Sequence, residues 1–259
     1  MTNRERNAEY KPLLYTTTVR NPERIKYNLF VLKKFENQIL TNKVATAVVA
    51  ELIKYGLYRP MKVSNNVKSI WKQTSGGEFA VSLLDDKTVS KIIIDNPQKH
   101  KEAGFDWGYP SRFATIFDLA KEFGFVYFKV GEKIEFSELG NILVDIVDIQ
   151  IGENNELSLN LKNPEREQSV FLQSLARSQR ANPFVKVLND NIPLILLLQT
   201  IKLINADPTC GNNCGISRKE IPLLLFWKDS NAADLYSRIR QLRKDFGYTP
   251  SDEVISTSV

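Results

Sequence analysis

The chain has 259 residues, room for about two domains of ordinary size, and with 42% hydrophobic and 10% aromatic residues it can build a core, which excludes disorder throughout. The formal charge is only +5, yet residues 1–72 carry a net +9, residues 73–165 a net −7, residues 166–247 a net +5 and the tail a net −2. Two basic segments flanking an acidic one suit a polyanion such as DNA, since Lys and Arg near phosphates release counterions; scattered charge on a solvated surface is the competing account. No apolar run approaches the roughly 20 residues of a membrane span, and MTNRERNAEYKP lacks the apolar stretch of a secretory leader, so no membrane partner is expected. Two cysteines make no disulfide framework, and a cytoplasmic protein of a prokaryote is the expectation.

Residues 1–12 read as a loose polar arm. Asn21, Pro22 and Glu23 then open a helix whose stripe runs through Ile25, Leu29, Leu32 and Ile39, with Lys26, Lys33 and Lys34 elsewhere on its surface. A second helix follows Thr41, carries Val44, Val48 and Leu52, and ends at Gly56. Residues 61–82 read as irregular, Asp85 to Asp95 as a helix stopped by Asn96-Pro97, and 97–110 as a loop. Ser111 is expected to cap a helix from Arg112 to about Phe123. FVYFKV (125–130) and KIEF (133–136) read as strands around a Gly131-Glu132 turn, and Ser137 caps a short helix. Helix, strand, turn, strand is the order of a winged-helix module; a helix packed on an isolated hairpin is the alternative.

Residues 150–165 are polar and suit a linker. Helices resume at Arg166 to Gln179 and from Pro193 to Ile204. Ser217 and Glu220 form an S-x-x-E capping box for a helix through Trp227, and Asn231 caps a last helix with Leu235, Ile239, Leu242 and Phe246 buried before Gly247. This pair is a second helix-turn-helix or a plain helical hairpin. The expected fold is therefore mainly α with small β wings (α+β). It divides into a DNA-recognition subdomain over 1–149, a linker over 150–165 and a second helix-turn-helix-like subdomain over 166–259.

Catalytic chemistry is sparse. His100 is the single histidine, in QKHKEAG, and no G-x-S-x-G occurs. Cys210 and Cys214 stand as C-x-x-x-C in a Gly/Asn loop, short of the four donors a zinc site needs. A magnesium nuclease of the PD-(D/E)xK type needs an Asp followed by an acid-x-Lys on a neighbouring strand. The strand-like ELSLNLK (156–162) lacks it, Glu9-Tyr10-Lys11 has no preceding Asp, and Asp145, Asp148 and Glu153 suit a polar linker. No catalytic residue and no metal site is expected within the chain.

Features suited to DNA are more numerous. Arg20, Arg24 and Lys26 surround the first helix start, where backbone N–H groups and the helix dipole favour phosphate. Ser111, Arg112 and Thr115 open the helix before the wing, where a recognition helix offers its first turn to base edges. Trp107 and Tyr109, just before it, are expected to pack under the helix; contact with DNA is the other reading. Arg238, Gln241, Arg243 and Lys244 flank the apolar stripe of the last helix, a basic face that is either solvated or turned to DNA.

Three stretches resemble the AlwI family of type IIS restriction and nicking endonucleases. They are LLYTTTVRNPERIKYNLFVLKKFENQILTNKVATAVVAELIKYGLYRP (13–60), NPQKHKEAGFDWGYPSRFATIFDLAKEFGFVYFKVGEKIEFSELGNILVD (96–145) and NPFVKVLNDNIPLILLLQTIKLIN (182–205). TTTVRNPER and GFDWGYPSRF are the more specific strings. The resemblance implies tandem winged-helix subdomains that read a short asymmetric site on double-stranded DNA. It implies a PD-(D/E)xK domain, outside this chain, that cuts to one side with magnesium. It places Thr16, Thr17, Thr18, Arg20, Arg24, Ser111 and Arg112 near DNA. On this reading a catalytic domain or subunit is a partner, and this chain itself holds no cofactor. A self-sufficient winged-helix transcription regulator and a helical protein-interaction module are the other readings.

Overall fold

Short polar side chains set most helix starts by accepting from first-turn N–H groups. Thr41 accepts from Val44 N (3.2 Å), Ser64 from Val67 N (3.3 Å), Asp85 from Thr88 N (2.9 Å) and Ser137 from Gly140 N (3.1 Å). Asn231 accepts from Ala233 N and Asp234 N at 3.1 and 3.2 Å. The computed structural model describes residues 9–11, 23–71, 79–99, 101, 104–151, 156–182, 187–210 and 215–258. It is mainly helical with two small antiparallel sheets, an α+β fold. Among the described residues no helix is long and apolar enough to cross a membrane. The chain divides into two compact units, one formed by Met1–Tyr15 with Gln173–Val259 and the other by Thr16–Leu172.

In the Thr16–Leu172 unit, α1 (Arg24–Lys33) ends six residues before Ile39, which the 3.6-residue stripe had included. Asn37 takes the left-handed conformation (φ 65°), which Asn tolerates, and turns the chain out of the helix. Residues 37–40 then run as a strip beside 131–134. Asn37 N donates to Ile134 O (2.8 Å), Ile134 N to Gln38 O (3.0 Å), Leu40 N to Glu132 O (2.8 Å) and Gly131 N to Leu40 O (2.9 Å). Ile39 is consequently 55% exposed while Leu40 is fully buried. α2 (Asn42–Lys54) follows and packs against α5 (Tyr109–Glu122). The hairpin of β2 (Val126–Tyr127) and β3 (Glu135–Phe136) pairs Val126 with Phe136 and Tyr127 with Glu135.

α6 (Glu138–Asp145) presses its first turn onto the start of that hairpin. A Cβ at Gly140 would stand 1.9 Å from Phe125 O, so only glycine fits. Leu29, Leu32, Leu52, Phe113, Phe117, Phe125, Ile134 and Leu143 fill the core, each worth about 1.5–3 kcal/mol of burial. Phe113 lies 4.9 Å from Phe117, tilted, and 4.9 Å from Phe128, edge-on, and Phe125 meets Phe171 edge-on at 5.4 Å.

Two expectations are corrected in this unit. Residues 61–82 hold α3 (Asn65–Ile70) and β1 (Phe79–Ser82), with α4 (Asp86–Asp95) following. The expected linker holds β5 (Glu156–Leu161), the central strand of a sheet ordered β1-β5-β4, with β4 at Val147–Ile151. Phe79 pairs with Leu159, and Val147 with Leu161. The alternation in ELSLNL outweighs the polarity of its flanks. α7 (Pro164–Arg177) follows directly.

In the other unit, residues 9–11 are tied down rather than loose. Lys11 N donates to Asn189 Oδ1 (2.8 Å), Leu188 N donates to Glu9 O (3.2 Å), and Arg180 donates to Lys11 O. α8 (Pro193–Ala206), a 3₁₀ turn at Pro208–Cys210, α9 (Ile221–Phe226), α10 (Ala232–Phe246) and α11 (Asp252–Ser256) enclose a core of Leu196, Ile204, Leu223, Leu235, Ile239, Leu242 and Ile255. Phe246, expected on the buried stripe, is 52% exposed. The Ser217–Glu220 box closes only in half. Ser217 N donates to Glu220 Oε2 (2.7 Å), while the Ser217 hydroxyl turns to Tyr248 O (3.4 Å), and the helix starts later, at Ile221.

Candidate nucleic-acid interface

Thr16, Thr17, Thr18 and Arg20 lie outside the described residues, as do the expected cap Asn21 and Pro22, His100, Cys214 and Glu153. Arg24 is the first residue of α1 and is half-buried, which lowers its guanidinium pKa. Arg59, just past α2, is also lowered, first by burial and then by the nearby Arg24 charge. Arg24 and Arg59 are thus two partly desolvated guanidiniums near enough for one charge to act on the other. Arg59 Nε donates to Gly56 O (2.8 Å), and its guanidinium lies over the Trp71 ring at 5.9 Å.

Of the three lysines expected on the surface here, Lys34 is exposed and Lys33 half-buried, but Lys26 is buried. Lys26 is 3% exposed, and its ammonium bonds Glu167 at 2.7 Å; it fastens α1 to α7, and no phosphate can reach it. Lys33 bonds Asn141 (2.5 Å) and Glu36 (2.6 Å), and Lys34 bonds Tyr55 (2.7 Å) and Glu51 (3.0 Å). Lys54 bonds Asp86 at 2.8 Å. Two of these lysines, Lys26 and Lys54, are thus met by carboxylates from beyond the first segment, while Glu36 and Glu51 already count within its net +9.

Helix α5 starts earlier than expected, at Tyr109, with Gly108 (φ 99°) at the cap position. Ser111 is therefore no cap. It is fully buried in the first turn, and its hydroxyl donates back to Gly108 O at 2.8 Å, which removes it from any DNA-facing surface. Thr115 is half-buried, and its hydroxyl donates to Ser111 O at 3.2 Å. Arg112, like Thr115, is half-buried. Its Nε donates to Gln98 Oε1 at 2.8 Å, which leaves the terminal nitrogens without a hydrogen-bond partner among the described residues.

Gln98 is itself fixed, donating to Asn96 O at 2.9 Å and accepting from Tyr58 OH at 3.4 Å. Asn96 is buried and holds the 62–96 junction through Lys62 N (2.8 Å) and Lys62 O (2.6 Å). Tyr109 donates to Asn96 O at 2.9 Å, and burial pushes its phenol up to about 12. Burial also raises Tyr58, with Arg112 opposing. Trp107 and Tyr109 part company: Tyr109 packs under the helix, whereas Trp107 is 65% exposed.

Beside α5, a cleft of about 370 Å³ opens against the hairpin turn, lined by Phe105, Ala114, Asp118, Lys121, Phe128 and Lys129. Lys121 donates to Phe128 O (3.0 Å), and Lys129 pairs with Glu132 at 2.5 Å. Lys133 is exposed on the strand that carries the Ile39 bridge.

In the other unit, α9, a short turn and α10 follow one another, with α8 packed on α10. Arg238 is half-buried and donates from Nε to Ser258 O at 3.2 Å. Arg243 is not on the solvated face. Its guanidinium grips Glu220 through Nε–Oε1 (2.7 Å) and Nη2–Oε2 (2.8 Å), donates to Gly215 O (2.5 Å), and lies 4.8 Å over the Tyr248 ring. Buried Cys210 sits 4.0 Å from Arg243 Nη1. The outer face of α10 is Ser237, Arg240, Gln241 and Lys244, with Arg240 3.3 Å from Asp207 and Gln241 bonded to Asp245 at 2.6 Å.

Gln98, Arg59 and Arg240 were missed by sequence reasoning. Arg240 alone had a local signal, its i,i+4 spacing from Lys244 on the side of α10 away from Leu235 and Ile239. Among the described residues no three His, Cys, Asp or Glu side chains gather into a metal-binding group. Asp148 lies 4.0 Å from Lys162 and Asp145 is exposed. Compared with protein-family models the sequence matches none, and compared with curated proteins it likewise has no match.

Proposed function

We propose that this chain recognises double-stranded DNA in a sequence-specific way. On this reading it is the recognition part of a type IIS restriction endonuclease that cuts outside a short asymmetric site. Magnesium-dependent hydrolysis would come from a catalytic domain or subunit outside this chain.

The observation that carries the reading is the pairing of residues 37–40 with 131–134. It makes the order helix α1, strip, helix α2, helix α5, then a hairpin whose second strand pairs with the strip. This order supports the reading as a winged helix, with α3, β1 and α4 inserted between its second and third helices. In this frame α5 is the recognition helix and residues 128–133 form a short wing with Lys129 and Lys133 on it.

The charged and hydroxyl side chains of α5 that reach solvent are Arg112, Thr115, Asp118, Lys121 and Glu122, with Lys121 turned back onto Phe128 O. Two carboxylates in the C-terminal half of the helix would repel phosphates, so the N-terminal turn with Arg112 is the part suited to a groove. α9 and α10 supply a second helix-turn-helix, with Arg240 and Lys244 outward.

Binding to a labelled duplex, followed by fluorescence anisotropy, tests the reading. With about 6 phosphates contacted, affinity falls by about a thousandfold between 50 and 200 mM salt. Affinity indifferent to salt overturns it.

A further inference from the structure

We propose that Trp107 is a stacking platform for a nucleobase, an inference that rests on the DNA-recognition reading above. Trp107 is held outward by a loop anchored on both sides. Phe105 is buried, with its ring 5.8 Å from Phe113, and Tyr109 is buried, with its hydroxyl 2.9 Å from Asn96 O. Between them Asp106 is clasped by one side chain from the start of α2: Asn42 Nδ2 donates to Asp106 Oδ2 (2.6 Å) and Asp106 N donates to Asn42 Oδ1 (3.2 Å). Gly104 and Gly108 adopt φ of 85° and 99°, backbone that L side chains rarely take, and so fix the two bends. A loose loop would fold a free indole against the protein; this one holds it 65% exposed, while Trp71 is 3% exposed and Trp227 half-buried.

The surroundings select the occupant. Lys43, beside the clasping Asn42, and Lys99 and Lys101, in the preceding stretch, are exposed and have no ion pair among the described residues. Arg112 lies one turn into α5 from Gly108, on the same side of the helix. An exposed aromatic face in a stretch with four cations, its one adjacent carboxylate, Asp106, held by Asn42, suits a base with its phosphates, because every base offers a π-face and cations meet the backbone. A protein partner would call for an apolar surround without the exposed lysines of this stretch, and its binding is told apart by the concentration dependence below.

The test uses the full chain and a duplex with one mismatched pair, whose base leaves the stack easily. Trp107→Ala keeps the wild-type melting midpoint but binds this duplex about 5- to 150-fold more weakly, the range of one base–aromatic stack. Trp107→Phe keeps most of the affinity. Acrylamide quenches the wild-type emission less once DNA is bound, and this protection is missing in Trp107→Phe. Binding unchanged in Trp107→Ala, with wild-type emission still quenchable in the complex, overturns the stacking role and leaves DNA recognition standing. A chain that binds no duplex overturns both. Protection that grows with protein concentration in the absence of DNA assigns the indole to a second copy and overturns the proposal.

Discussion

Replacing Arg243 by Ala separates a structural cation from a DNA-facing one. In the folded chain the Arg243 and Glu220 side chains are 7% and 0% exposed and meet through two parallel bonds of 2.7 and 2.8 Å. Removing the guanidinium leaves a buried carboxylate with Ser217 N as its remaining donor among the described residues. Breaking one partner of such a pair costs about 3–5 kcal/mol. With a urea m-value of about 2 kcal/mol/M, the midpoint should fall by about 2 M. Arg243→Lys should fall part of the way, since an ammonium keeps the charge but cannot span both carboxylate oxygens. Urea titrations followed by circular dichroism give the midpoints, and anisotropy on duplex DNA in the absence of urea gives the affinity. An unchanged midpoint with a tenfold loss of DNA affinity would refute the reasoning and return Arg243 to the interface.

Gly140→Ala should destabilise by about 3 kcal/mol, because the new Cβ meets Phe125 O at 1.9 Å; an unchanged thermal melt would show that α6 can slide. Burial lifts the Tyr109 phenol from the usual value of about 10 to about 12, so its contribution is complete below pH 10 and is lost as pH rises to 12. Stability measured at pH 8, 10 and 11.5 should therefore fall less steeply in Tyr109→Phe than in the wild type, and equal slopes count against it. Arg112→Ala should cost about 1–3 kcal/mol on duplexes selected by the chain from a random pool, and less on unselected ones. An equal loss on both makes Arg112 a phosphate contact. With magnesium, the chain should leave supercoiled plasmid unrelaxed; relaxation abolished by combining Asp145→Ala with Asp148→Ala would reveal a catalytic centre.

What could be read from the sequence is what nearby residues decide. Thr41, Asp85, Ser137 and Asn231 cap helices because donor and acceptor lie two or three residues apart. Gly124 and Gly131 close turns with φ of 71° and 87°, as the strand-turn-strand reading of 125–136 needs. What escaped is decided by distant partners. Lys26 looks like a surface cation until Glu167, 141 residues on, is brought beside it. Arg243 looks like a basic-face residue until Glu220 and Gly215 converge on it. Residues 150–165 look like a linker because β1, the partner that completes the β5 strand, lies far upstream at Phe79–Ser82. In the candidate interface, the place of Arg112 near a helix start was readable. Its anchor on Gln98 was not, since it depends on how the 97–108 loop folds back.

The tie between residues 9–11 and the 180–191 stretch makes the middle of the chain an insertion, and this governs order and load. On the ribosome Asn189 follows Lys11 by 178 residues, a wait of roughly 10–35 s at about 5–20 residues per second. The Thr16–Leu172 unit has all its own sequence by then and can close first, while the unit named by both chain ends can only close last. A pull that separates residue 9 from residue 189 loads the Lys11–Asn189 and Leu188–Glu9 bonds side by side, so the two must give way together.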